Sequence, residues 1–403
     1  MGSNLTKFIP NYQIGSAGFN FGKREKQYIN QVLKSHRLSY GPWSQKFEEI
    51  FAQEHQTKFS VFSNSGTSAL HMGLAAMKEK YGWADGDEVI VPAMTFMATS
   101  NIVIYNNMKP VFVDVDPLTY NINSACIESV ITPRTRVILP VHLFGMPADM
   151  DPIMDIARKN NLRVIEDSCE CMFATYKGKK VGSFGDVGCF STYVAHFLVT
   201  GVGGLATTND SELAILMRSF MNHGRDSIYL NIDADKGLSE SKLELVVAKR
   251  FSFVRLGHSM RATELEAAIG VAQFEGREEN IRIRREIAKY YTKNLSPLSE
   301  HMQLPHVPSD REHNFMMYPI VLKNESKTEL VNFLEKNNVE TREMVPLTNQ
   351  PVYKRLFGSD FEDKYPVAKW INQNGFYIGC HPYLKKKEIK YVVDLIKEYF
   401  AAK

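Results

Sequence analysis

The chain has 403 residues, of which 44% are hydrophobic and 23% charged, and its formal net charge is +3. That is ordinary globular composition, long enough for two domains or for one large domain with an appendage. So small a positive excess argues for neither nucleic acid nor a membrane surface as a partner, and no run of about 18 apolar residues suits a membrane-spanning helix.

The opening MGSNLTKFIP carries no apolar signal core, so the chain reads as soluble and cytoplasmic. Five cysteines (Cys126, Cys169, Cys171, Cys189 and Cys380) are odd in number and scattered, which suits reduced thiols better than a disulfide framework. Cys169-Glu170-Cys171 has no matching second pair for a zinc site, and small buried apolar side chains are its simpler reading.

Residues 20–55 carry helical spacing, with a turn at 39–43. A β-branched and aromatic run then enters Ser63-Asn64-Ser65-Gly66-Thr67 and an Ala/Leu/Met-rich helix. Small residues at a helix start leave N–H groups open to an anion, although an ordinary N-cap accounts for the same pattern. Strands are predicted over 87–93, 109–117, 135–145 and 161–170, with helices over 94–107 and 150–159. Repeated βα units with short apolar strands predict an α/β fold, a mostly parallel sheet covered on both faces, whose ligands bind beyond the strand C-termini. Gly66, Thr67, Phe96, Asp167 and His196 all fall at such ends or in the loops beside them.

The stretch GDVGCFSTYVAHFLVTGVGGL (185–205) predicts a strand, a tight loop and a second strand, with Ser191 five residues before a lone His196. A lone histidine among apolar neighbours is, read locally, a packed core residue. Within 208–265 the charged segment SIYLNIDADKGLSESKLELVV predicts a loop or hairpin insertion. One long helix is predicted over 261–295. Beyond residue 310, strands at 314–322 and 340–344 with helices at 326–339 and 385–400 predict a small α+β domain. The division is a large domain over 1–265 and a connecting helix with the small C-terminal domain over 266–403.

Taken together, NSGTSALHMGL, EVIVPAMTFMATSNIV, VIEDSCECMFATYKGKKVGSFGDVGCFS, TGVGG, MRATELEAAIGVAQ and IGCHPYL resemble the sugar aminotransferase family of fold-type-I pyridoxal-phosphate (PLP) enzymes, over roughly residues 20–400. The resemblance implies the three-layer fold of that type. It implies that Gly66 and Thr67 N–H groups and the Ser191 hydroxyl hold the cofactor phosphate, that Phe96 stacks on the pyridine ring, and that Asp167 pairs with the ring nitrogen. Phe96 also reads as a core aromatic. Glu170 reads either as a residue touching the ring hydroxyl or the reacting face, or as an exposed glutamate.

In aminotransferases of this family the residue five after that serine is the lysine that forms the Schiff base. Here it is His196, which forms no stable imine but still accepts and delivers protons. Val202 stands where Glu is usual and Ser259 where Asn is usual. A histidine at this point resembles the PLP-dependent sugar 3-dehydratases. One kind of these carries an iron–sulfur cluster. Residue 179, where a further thiolate would fall, is Lys179, so the expectation is no cluster and no metal. The other kind acts on GDP-4-keto-6-deoxy-D-mannose.

The resemblance then implies PLP bound without an internal aldimine and converted by L-glutamate to pyridoxamine phosphate (PMP), with 2-oxoglutarate released. His196 moves the protons, the C3 hydroxyl of a nucleotide-linked 4-keto-6-deoxy sugar leaves, and ammonia is released, in 3,6-dideoxysugar and lipopolysaccharide O-antigen biosynthesis. A sugar aminotransferase giving a 4-amino sugar and a non-catalytic protein of the same fold are the alternatives. A homodimer with sites at the interface is implied, the loop after Asn222 reaching across. Arg225 and Arg342 are candidates for anionic ligand groups or ordinary surface arginines.

Overall fold

The computed structural model describes residues 8–227 and 236–402. Helices α1 (Lys23–Ser35) and α2 (Pro42–Glu54) precede β1 (Phe59–Ser63) and α3 (Gly66–Tyr81). Then β2 (Glu88–Pro92), α4 (Met97–Tyr105), β3 (Lys109–Val113), β4 (Thr135–Ile138), α5 (Met150–Lys159) and β5 (Arg163–Asp167) alternate. A hairpin of β6 (Thr175–Tyr176) and β7 (Lys179–Lys180) leads to β8 (Val187–Ser191) and β9 (Gly204–Thr208).

Seven of these strands form one sheet in the order β1-β9-β8-β5-β4-β2-β3. Only β9 runs against the rest, because it pairs antiparallel with both β1 and β8 while the other pairings are parallel. The strand C-termini of β1, β2, β5 and β8 therefore share one edge. Alternate residues enter different cores: Val89, Val91, Val137 and Ile165 pack in one, Ile90, Ile138 and Val164 in another. A sheet buried on both faces needs helices on both, and this period-2 division is the three-layer α/β arrangement the sequence predicts.

The stretch after β9 departs from expectation. Helix α6 (Ser211–Met221) follows β9, capped by Asp210, whose carboxylate accepts from Glu212 N at 2.9 Å and Leu213 N at 3.1 Å. Of the segment read as a loop or hairpin, residues 228–235 lie outside the described residues, and the remainder forms α7 (Glu240–Lys249). The single helix predicted over 261–295 is two, α8 (Glu264–Glu275) and α9 (Arg277–Leu295), parted at Gly276. Glycine loses most conformational freedom inside a helix, which makes it the weak point of that stretch.

The C-terminal sheet runs β10-β11-β13-β12, from β10 (Met302–Gln303), β11 (Met317–Leu322), β12 (Thr341–Glu343) and β13 (Gly375–Gly379). It carries α10 (Lys327–Lys336), α11 (Pro351–Phe357), α12 (Pro366–Asn374) and α13 (Lys386–Ala401). Its own core holds Ile287, Tyr291, Tyr318, Ile320, Leu334, Phe376 and Ile396. The strand pairs are antiparallel, so this is the small α+β unit expected. Ile14 bridges Val339, so the N-terminal stretch is tied to it. Among the described residues no helix is long and apolar enough to cross a membrane.

Candidate active site

Helix α3 begins where β1 ends. Ser65 is its N-cap and accepts from Ser68 N at 3.0 Å. Gly66 is buried and Thr67 exposed at the first turn, so the open N–H end of the helix faces outward beside Thr67. Gly66 has to be glycine: a Cβ there would lie 2.8 Å from the Cys169 sulfur and 2.8 Å from Ser191 Cβ. The side chain it lacks leaves room for Ser191, at the end of β8, to stand beside the helix terminus. The Gly-Gly of TGVGG serves the same approach, since a Cβ on Gly204 would fall 2.5 Å from Gly66 N.

Phe96 ends the turn between β2 and α4 and is 61% exposed. The core reading of this aromatic is therefore wrong; a large ring held out over a strand end leaves a flat apolar face open. One turn further, Thr99 Oγ1 donates to Asp167 Oδ2 at 2.7 Å. Asp167 is buried at the end of β5, and its Oδ1 accepts from Cys169 N at 3.2 Å. Burial pushes the carboxyl up, and the Thr99 hydrogen bond is the largest opposing contribution.

Glu170 is 8% exposed, which corrects the reading of an exposed glutamate. Its Oε2 accepts from Phe144 N at 3.0 Å, and burial, with the nearby Asp167 charge, pushes it up to about 7. The chain had to leave β4 through the short helical turn Leu143–Gly145 for that N–H to reach it.

His196 sits half-buried in the loop between β8 and β9. Its Nδ1 lies 3.2 Å from the Met316 sulfur, and a hydrogen bond with the Cys169 backbone ties it to the residue that touches both Gly66 and Asp167. Burial first, then the charge of Arg284, lowers its pKa to about 4. The imidazole is therefore the neutral free base across the physiological range.

These seven residues come from four strand ends and the loop after β8. Thr95, Thr99 and Arg284 border them and were not among the candidates. Arg284 left a trace in the sequence: it shares the apolar stripe of α9 with Ile287, Ala288 and Tyr291, all buried. Arg225 and Arg342 do not join the group. The Arg225 guanidinium lies over Phe251 and Phe253, and Arg342 pairs with Glu340. All five cysteines are free thiols.

A helix N-terminus beside a serine, an exposed aromatic face and a buried carboxylate held by two donors suit a flat, phosphate-bearing pyridinium. The groups agree with PLP as cofactor: an anion at the helix start, a ring against Phe96, and a cationic ring nitrogen at Asp167. Such a fold and such a site define a fold-type-I PLP protein.

Residues 20–397 match the DegT/DnrJ/EryC1/StrS aminotransferase family, and the chain belongs to it. The chain is 35% identical to a GDP-perosamine synthase of Caulobacter vibrioides, over 96% of this chain and 98% of that one. It is 31% identical to the lipopolysaccharide biosynthesis protein RfbH of Salmonella typhimurium, over 96% and 92%. Among solved structures it resembles the E coli GDP-4-keto-6-deoxy-D-mannose-3-dehydratase with bound hydrated PLP, with a TM-score of 0.84, 26% identity, and coverage of 96% of this chain and 100% of that one.

Proposed function

We propose that this protein is a PLP/PMP-dependent 3-dehydratase of a nucleotide-linked 4-keto-6-deoxy sugar, GDP-4-keto-6-deoxy-D-mannose being the first substrate to try. The observation that carries the proposal is His196, an imidazole where the family's aminotransferases have an amine. When bound, the cofactor would supply an electron sink at the sugar's C4, with its amine drawn from L-glutamate. Gly66, Thr67 and Ser191 would hold its phosphate, Phe96 would support its ring and Asp167 its nitrogen. His196, neutral at working pH, takes a proton at the carbon next to the ring and returns one to the departing C3 oxygen. Without a lysine amine to compete, the cofactor is held by non-covalent contacts alone. In net terms, the sugar and L-glutamate would give a 4-keto-3,6-dideoxy sugar, 2-oxoglutarate and ammonia.

A homodimer belongs to this reading. It is supported by an apolar surface at Phe251 and Leu256, which are 83% and 96% exposed. The similarity to a GDP-perosamine synthase, a name that denotes an amino-sugar product, favours the second reading, transfer of the amine to the sugar.

One incubation separates the two. The protein, PLP, L-glutamate and GDP-4-keto-6-deoxymannose should yield ammonia and a 3-deoxy product. A stable 4-amino sugar in place of ammonia would establish the aminotransferase, and neither product would leave a non-catalytic protein.

A further inference from the structure

Two buried threonines stand behind the acid of the candidate site. Thr99 Oγ1 donates to Asp167 Oδ2 at 2.7 Å, and Thr95 Oγ1 lies 2.8 Å from Thr99 Oγ1. A hydroxyl has one proton. Thr99 spends its proton on the carboxylate, so the second bond runs from Thr95 to Thr99, and the chain has a direction: Thr95 to Thr99 to Asp167. Thr99 is wholly buried and Thr95 is 1% exposed, so no water competes for either hydroxyl. Phe96 stands between them in sequence, and Thr99 N donates to Phe96 O at 3.2 Å. The turn that presents the aromatic face is thus the turn that grips the carboxylate, and one backbone segment sets both positions.

The grip also orients. The carboxylate accepts from Thr99 at Oδ2, from Cys169 N at 3.2 Å at Oδ1, and from the Cys169 thiol, and its two oxygens offer about four acceptor positions, so one is left for a further donor. We propose that Thr99, aligned by Thr95, is a positioning residue that fixes the Asp167 carboxylate so that Oδ1 meets the ring nitrogen of the cofactor. This rests on the PLP reading of the site. Burial alone favours the neutral acid, and Thr99 is the largest contribution against it. Removing the hydroxyl therefore weakens the anion that keeps the ring nitrogen protonated.

The experiment uses the full chain, wild type and the variants Thr99→Val, Thr99→Ser and Thr95→Val, with PLP labelled with nitrogen-15 in the ring. Thr99→Val keeps the shape and deletes one hydrogen bond to a charged group. PLP affinity should fall by about 10-fold, and the labelled nitrogen should lose its proton at least about one pH unit earlier. Thr99→Ser should restore both. Thr95→Val should shift both the same way by less. The nitrogen titration is the readout that a merely structural threonine would not move, and it needs no turnover. Wild-type affinity and titration in Thr99→Val would overturn the inference while leaving the PLP assignment intact. If Thr99→Val fails to fold, an unshifted titration in Thr95→Val overturns the chain. A wild-type protein that binds no PLP sinks both.

Discussion

The guanidinium of Arg284 lies behind His196: Nη2 donates to the His196 carbonyl at 3.4 Å, and Nη1 donates to Met316 O and Cys380 O, each at 2.8 Å. Arg284 is 2% exposed, and its partners among the described residues are carbonyl oxygens, the Asn280 amide and the Phe197 ring rather than carboxylates. Burial lowers even this cation's pKa, to about 10. A buried, uncompensated charge beside an imidazole opposes its protonation.

Arg284→Met should therefore raise the His196 pKa from about 4 toward its ordinary 6.5, and the acid limb of the kcat/KM profile should move up with it. Arg284→Lys keeps the charge and should move it less. Loss of the carbonyl contacts should also cost the fold roughly 2–4 kcal/mol, read as a lower denaturant midpoint. An acid limb that stays near pH 4 in Arg284→Met would show that Arg284 does not set the state of His196.

In the proposed reaction, His196→Asn removes the base but not the proposed phosphate, ring or nitrogen contacts. Product formation should fall about 10²-fold or more, while PLP affinity stays within a few-fold of wild type. Affinity for PLP and single-turnover product are the two measurements. Unimpaired turnover would move the proton transfers to another residue.

Glu170, pushed up to about 7, holds more protons in the folded chain than in the unfolded one between its ordinary value of 4.5 and 7. Stability should therefore fall as pH rises through that window. Glu170→Gln removes the titration yet can still accept from Phe144 N. The variant should match wild type in thermal midpoint near pH 4.5 and exceed it at pH 8; a constant offset at both pH values would contradict the shift.

Acid should weaken the fold in the opposite sense. Burial lowers His55 and His381 to about 4 and His313 to about 3. Below 6.5 the unfolded chain takes up protons that the folded chain refuses, so stability is complete above 6.5 and is lost as pH falls toward 4. Each such histidine contributes a slope of about 1.4 kcal/mol per pH unit while it titrates. Denaturant midpoints from pH 7 to 4 measure the sum, and midpoints flat across that range would refute it.

The polar motifs were legible because each sits next to a strand end, and βα alternation states where the strands end. NSGTS, MTF, EDSCE and the serine–histidine spacing could be placed on one sheet edge from the order of elements alone. Other features were not legible. One of the two inner strands of the small sheet, β13, is GFYIG, whose two glycines read against a strand. The split at Gly276 was hidden by helical periodicity running through both α8 and α9. Glu264, in the first turn of α8, is 2% exposed and accepts from Gly41 N at 2.9 Å and Ser44 N at 2.8 Å, capping α2 from across the fold.

By itself the sequence placed an acid, an aromatic, an open helix start, a serine and a histidine at neighbouring strand ends; their roles toward a cofactor are what the family resemblance implies. The placements follow from residue type and from position relative to strand ends, which are local. The tertiary structure decided the states of these groups. It buried Glu170 and Asp167, exposed Phe96, set Thr99 against one acid and Phe144 N against the other, and placed Arg284 behind His196. Hydration, neighbouring charge and hydrogen-bond direction depend here on segments 26 to 88 residues away in the chain, and no local pattern contains them.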